Sequence, residues 1–256
     1  MARESKKAVV AISRWRLGAG LVMLLAAGVS TGLAARKVQQ YVTSDPQFVL
    51  SRYQKGALTV EGLNYTPRSK VQRLFAQDFD RSVFSIPLEE RRRRLLAIDW
   101  VEDASVSRVW PDRVVVRIRE RRPVAFVPLG SAVLLIDAHA ILLDQPPQAQ
   151  FTFPVLRGYR EEAPEDQRIE QVHALLTVQE DMGYLAKDLS EVNVADSDNI
   201  RIVVQVEHRT VELLMGDANF GRRYQNFLKH FPDIQKQSPG VKTFDLRLDD
   251  RITAKD

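Results

Sequence analysis

Nineteen consecutive residues without a charge, Leu17 to Ala35 (LGAGLVMLLAAGVSTGLAA), stand between Arg14/Arg16 and Arg36/Lys37 near the start of an otherwise charge-rich chain. At a helical rise of about 1.5 Å per residue the run spans roughly 28 Å, close to a bilayer's hydrocarbon thickness. It therefore predicts one transmembrane helix over 17–35. Arg3, Lys6, Lys7, Arg14 and Arg16 precede it against the single acid Glu4, and such clusters stay in the cytoplasm. Arg36 and Lys37 oppose this orientation but are fewer, and they snorkel to the far interface. Residues 1–16 are then a cytoplasmic tail, 36–52 a linker, and the bulk of the chain an extracytoplasmic domain at the inner membrane. The competing reading is a cleaved signal peptide ending near Gly32-Leu33-Ala34, against which the run exceeds the usual apolar core of about 7 to 15 residues. Either way the bulk of the chain leaves the cytoplasm.

The anchor also accounts for the charge. Of 37 Lys/Arg and 33 Asp/Glu, residues 1–37 hold seven and one, which leaves 30 against 32 for the rest. A nucleic-acid protein places its excess positive charge on the folded part, so no nucleic-acid partner is expected. Cysteine is absent, which removes disulfides, thiolate nucleophiles and Cys-ligated metals. The exported part is held by burial alone, and about 215 residues are ample for one large or two small domains.

A first module is expected over 53–127. Ala57-Leu58-Thr59-Val60 reads as a short strand before Gly62. Thr66-Pro67 starts a helix with Val71, Leu74, Phe75 and Phe79 on one face, ending before Asp80. Leu88 to Ile98 forms a second helix after Pro87. Ala104 and Val106 alternate with Ser105 and Ser107, Trp110-Pro111-Asp112 turns, and Val114, Val116 and Ile118 alternate with Val115, Arg117 and Arg119, which makes a β-hairpin with one wet face. The order is β-α-α-β-β. Within it, Arg91 to Arg94 reads either as a patch for an anionic surface or as a solvated helix face. The i,i+4 pairs Glu89 to Arg93 and Glu90 to Arg94 favour the solvated face.

These residues resemble a known family. Gly62-Leu63-Asn64-Tyr65-Thr66-Pro67, Ser82-Val83-Phe84-Ser85-Ile86-Pro87, Ile98-Asp99-Trp100-Val101-Glu102-Asp103-Ala104, Arg108-Val109-Trp110-Pro111 and Glu120-Arg121-Arg122-Pro123-Val124-Ala125, in this order behind one span, resemble the POTRA module of the bacterial cell-division family FtsQ, called DivIB in some bacteria. The resemblance continues into that family's β-domain, 128–252. Val133 to Ile136 and Ile141 to Leu143 read as a hairpin around Asp137-Ala138-His139-Ala140, where such chains usually have a glycine. Pro154 to Gly158 also matches. Pro164 to Met182 is an amphipathic helix through Ile169, Val172, Leu176 and Met182. Val192 to Val194, Ile200 to Val206 and Thr210 to Met215 read as strands, Phe220 to Phe231 as a last helix, Val241 to Leu248 as the terminal strand, and 253–256 as a tail. The fold class is α+β: a transmembrane helix, a POTRA domain and a mixed β-domain with flanking helices.

Nothing points to catalysis. His139, His173, His208 and His230 lack ligand spacing, and neither a nucleophile elbow nor a phosphate loop is present. No catalytic residue, cofactor or metal is expected, although a hidden carboxylate pair stays open. A strand at the end of a chain can instead leave one backbone edge unpaired, ready for strand addition by a partner. The resemblance implies that this partner is FtsB, travelling with FtsL, and by position the site is Thr243, Phe244, Asp245, Leu246, Arg247 and Leu248. Leu248 stands where many members carry an aromatic residue. The Val115, Arg117 and Arg119 side of the hairpin is a second candidate docking surface. The expected function is a non-enzymatic divisome scaffold at the division septum that recruits FtsB and FtsL and helps coordinate septal peptidoglycan synthesis. Its rivals are a membrane-anchored POTRA adaptor of a secretion or outer-membrane assembly system, and an anchored envelope hydrolase.

Overall fold

Helix α1 (Arg14–Ser44) runs unbroken through the apolar stretch and past it. This computed structural model describes residues 14–248 and 251–255, with side chains from Met23 onward. No helix among the described residues is long and apolar enough to cross a membrane. The side chains of 17–22, the first third of the expected span, lie outside the described residues, as does most of the 1–16 tail. The expected linker, 36–52, carries the last turns of α1 and a single turn at Pro46–Phe48. That turn is capped by the Asp45 carboxylate, which accepts from the Gln47 N–H at 2.9 Å. Phe48 and Leu50 are buried there.

The chain divides into two compact units, Met1–Glu61 with Arg68–Arg94 and Ser105–Arg117, and Gly62–Pro67 with Leu95–Ala104 and Ile118–Asp256. The β-α-α-β-β order is present as β1 (Leu58–Glu61), α2 (Arg68–Leu74), α3 (Leu88–Leu96), β2 (Val101–Val109) and β3 (Arg113–Glu120). The three strands form a sheet with β3 in the centre, and β1 runs parallel to it from Leu58↔Val114 to Glu61↔Arg117. Alternation fixes the faces: Val114, Val116 and Ile118 are buried while Arg113, Arg117 and Arg119 are exposed. Helix α2 stops at Leu74 rather than continuing to Phe79, and turns fill the remainder.

In the first unit one arginine of the Arg91–Arg94 run leaves the solvated face. Arg91 is 4% exposed and makes a two-pronged ion pair with fully buried Asp78, Nη2 to Oδ1 at 2.8 Å. The hydrogen bonds to Asp78 raise the Arg91 pKa against the opposing effect of burial. Glu90 and Arg94 form the expected i,i+4 pair.

In the second unit, β4 (Pro123–Leu129), β5 (Ala132–Asp137), β6 (Leu142–Leu143), β7 (Val155–Arg157), β8 (Leu189–Asn193), β9 (Ile200–Val206), β10 (Arg209–Gly216), β11 (Thr243–Asp245) and β12 (Thr253–Lys255) make a nine-stranded sheet. Its order is β12-β11-β10-β9-β8-β7-β4-β5-β6. Strand β4 thus begins at Pro123, inside the span read as the first module. Two parallel neighbours are joined through helices: β7 to β8 through α4 (Glu165–Met182), and β10 to β11 through α5 (Phe220–Gln237). Parallel pairs need such crossovers.

Both helices bury one stripe in a common core with the sheet, Val172, Leu175, Val178 and Met182 from α4 and Phe220, Tyr224, Phe227 and Phe231 from α5. On α4 the stripe runs through Leu175 and Val178, with Leu176 only half-buried. The helices close on each other at Gly221, where a Cβ would lie 2.2 Å from the Asp181 carbonyl oxygen. The Gly221 N–H donates to the Asp181 carboxylate at 3.0 Å. Helix α5 does not end at Phe231 but passes through Pro232 to Gln237. Proline costs roughly 3 kcal/mol in a helix interior, and the anchoring of Phe227 and Phe231 before it and of Ile234 after it offsets that loss.

Candidate partner-binding edge

Strand β11 is short because only Thr243, Phe244 and Asp245 pair in register with Glu212, Leu213 and Leu214 of β10. The Leu246 N–H adds one further bond to the Leu214 carbonyl at 2.9 Å. Phe244 and Leu246 are 1% and 2% exposed, and the Phe244 ring lies 5.2 Å from that of Phe227. These two anchor the strand in the core. Leu248 points out, 56% exposed.

Asp245 and Arg247, on the opposite side, pair with each other. The Asp245 carboxylate accepts from Arg247 Nη2 at 2.6 Å and Nε at 2.9 Å, and Lys255 Nζ lies at 3.3 Å. The hydrogen bonds from Arg247 hold the Asp245 carboxyl well below the usual carboxylate range. Arg247 Nη1 also donates to Asn199 Oδ1 at 3.0 Å.

The structure moves the open edge outward by one strand. Thr253–Lys255, read from sequence as tail, forms β12 and pairs antiparallel with β11, with Thr243↔Lys255, Phe244↔Ala254 and Asp245↔Thr253. Strand β11 is therefore paired on both sides, and the outermost backbone of this end of the sheet is that of β12, whose three residues are exposed. The expected site, Thr243 to Leu248, supplies the platform that holds this edge. Strand β12 was not legible from sequence, since Thr-Ala-Lys is only three residues long and has no large apolar side chain.

Beside the platform lies a groove of about 320 Å³, walled by Arg222, Arg223 and Lys229 of α5 and by Leu246, Leu248, Arg251 and Ile252. Among the described residues, four cations, three apolar side chains and the amides of Gln225 and Asn226 line it. The arrangement suits an acidic, partly apolar segment. It was readable in part from sequence: Arg222 and Lys229 are seven positions apart on the helix face away from the Phe220 and Tyr224 stripe.

The second candidate surface is a sheet face rather than an edge. Arg117 Nε pairs with Glu61 at 3.0 Å and Arg119 Nε with Glu102 at 3.3 Å, while Val115 is half-buried. Strand β3 lies between β1 and β2 and has no free edge.

Residues 56–121 match the model of the POTRA domain, FtsQ-type. The chain is 32% identical over 202 residues to the cell division protein FtsQ of Koribacter versatilis, covering 77% of this chain and 58% of that protein. It is 23% identical over 261 residues to FtsQ of Syntrophotalea carbinolica, covering 98% and 90%. The chain belongs to the FtsQ/DivIB family.

Membership makes the first module a POTRA domain and gives the chain a family of cell-division proteins. The FtsQ of Alcanivorax borkumensis is a further relative, 31% identical with 67% of this chain and 63% of that protein covered. The matched stretches span 58%, 45% and 63% of the first three relatives' length. The extracytoplasmic domain of the division protein DivIB from Geobacillus stearothermophilus is 21% identical over 47% of this chain and 95% of that one. The TM-score is 0.27, and the membership rests on sequence.

Proposed function

We propose that the chain is a non-catalytic scaffold of the division machinery, anchored in the inner membrane by residues 17–35 with its N-terminus in the cytoplasm. Its β-domain captures FtsB, which brings FtsL, by strand addition on the β12 edge. Capture helps coordinate septal peptidoglycan synthesis. The observation that carries the reading is the juxtaposition of an outermost, exposed strand with the cation-lined groove beside it. A backbone hydrogen bond contributes only about 1 kcal/mol net, and association costs several kcal/mol of lost freedom. Strand addition alone is therefore too weak, and the groove supplies the missing contacts to acidic and apolar side chains.

The anchor is supported by the uncharged run and by Met23, Leu24, Leu25, Val29 and Leu33, which stand exposed along α1. A proline scan through Thr253, Ala254 and Lys255 tests the capture edge. Alternate residues of a strand direct their N–H to opposite sides, so at least one replacement removes an outward donor. That variant should lose co-purification with FtsB at least tenfold while keeping wild-type circular dichroism. Full capture by all three folded variants would refute the edge.

A further inference from the structure

The first unit carries a ring cluster that the capture edge does not use. Phe48 is buried, and three rings surround it: Tyr41 at 6.0 Å, Phe84 at 5.4 Å and Trp110 at 5.8 Å. The outer three face solvent, Trp110 most of all at 70% exposure, with Val109 exposed beside it. Leaving a large apolar side chain in water forgoes roughly 1.5 to 3 kcal/mol, and grouped exposure of this kind marks a contact surface.

The cluster is fixed to the end of α1. Ser82 Oγ donates to the Val42 carbonyl at 2.8 Å, and Gln47 Nε2 donates to the Tyr41 hydroxyl at 2.9 Å. Arg108 donates to the carbonyls of Val83 at 2.7 Å and Ile86 at 2.8 Å, which holds the turn that presents Phe84. Tyr41 lies six residues beyond Ala35, about 9 Å along the helix axis. A leaflet's headgroup zone is roughly 5 to 8 Å deep. Tyr41 therefore stands where that zone meets water, the level at which Trp and Tyr are enriched because one end is apolar and the other wet, and Phe84 and Trp110 join it through Phe48. Arg36 and Lys37 precede Tyr41 in the same helix, directly after the uncharged run.

We propose that Tyr41, Phe84 and Trp110, held together by Phe48, form a collar that seats the first unit on the lipid headgroups where α1 leaves the bilayer. This rests on the anchor reading above. A seated collar limits how α1 can tilt and how far the unit can rise from the surface, so the unit is presented at a fixed height.

The full chain, reconstituted in phosphatidylethanolamine and phosphatidylglycerol vesicles with lipids brominated near the headgroup, tests the collar. Trp15→Phe leaves Trp100, which is buried, and Trp110 as fluorophores. The Trp110 emission should be quenched, and that quenching should vanish with Trp110→Phe added. A nitroxide on Leu25→Cys, the only thiol in the chain, reports the anchor. Unquenched Trp110 with the label deep in the bilayer overturns the collar alone, and a label in water overturns the anchor as well. Quenching that appears only after FtsB and FtsL are reconstituted overturns direct seating on lipid.

Discussion

Arg91 and Arg93 are two positions apart in α3, yet only one is a structural residue. Arg91→Ala would leave the Asp78 carboxylate buried without its counter-charge, a change that costs about 3 to 5 kcal/mol. Arg93 is exposed, and Arg93→Ala should cost less than about 0.5 kcal/mol. Urea unfolding of the two variants would show the contrast, and equal midpoints would contradict it. Glu120 makes a second residue-scale case. Burial pushes its carboxyl up, but the N–H groups of Thr66, Tyr65 and Asn64 donate to it at 2.6 to 3.1 Å and together hold it below the usual value. A carboxyl depressed in the folded state stabilises above its unfolded pKa, and that contribution is lost as pH falls through the folded value. Glu120→Gln should therefore lower stability at pH 7 by about 1 to 3 kcal/mol. It should also flatten the acid decline that wild type shows below about pH 4, as measured by unfolding from pH 7 to pH 3.

At the scale of elements, what was legible depended on whether an apolar period was long enough to read. The period of two in Val114 to Ile118 and in Ile200 to Val206 placed β3 and β9, because each buries every second side chain. The end of α5 was misread because Pro232 is a local stop signal and the tertiary anchoring of Phe231 and Ile234 is not local. The β9–β10 turn also lacks its usual signature. Glu207 and His208 both adopt positive φ, 46° and 66°, in a two-residue connection that ordinarily takes Asn-Gly. Replacing Glu207-His208 by Asn-Gly should remove that backbone cost and raise stability by about 1 kcal/mol, read as a higher thermal midpoint. An unchanged or lower midpoint would show that the native side chains compensate the turn. Strand β12 was missed for a related reason. Three small or polar, exposed residues are too few to carry a pattern, and their position is set by pairing with β11 and by the Lys255 contact to Asp245.

For the whole molecule, sequence carried the class of protein further than the site. The ordered motifs from Gly62 to Ala125 and the module order were enough to indicate the family, because they encode turns and strand starts that the POTRA fold needs. The partner site depends instead on which strand is outermost and on which helix face lies beside it, and both are consequences of the sheet order. This gives the last prediction its form. If FtsB adds a strand to β12 and lays acidic side chains in the groove, the two contributions are separable by salt. Charge–charge attraction at an exposed groove is screened over roughly 8 to 10 Å at physiological ionic strength, whereas backbone pairing is not. Arg222→Glu with Lys229→Glu should weaken capture by FtsB about tenfold or more in low salt, chiefly through slower association. The deficit should shrink as salt rises toward 0.5 M. A proline that removes an outward donor of β12 should weaken capture at every salt concentration, chiefly through faster dissociation. Surface plasmon resonance on the full chain in nanodiscs distinguishes the two patterns. A charge reversal without effect at low salt would remove the groove from the interface and leave the edge alone.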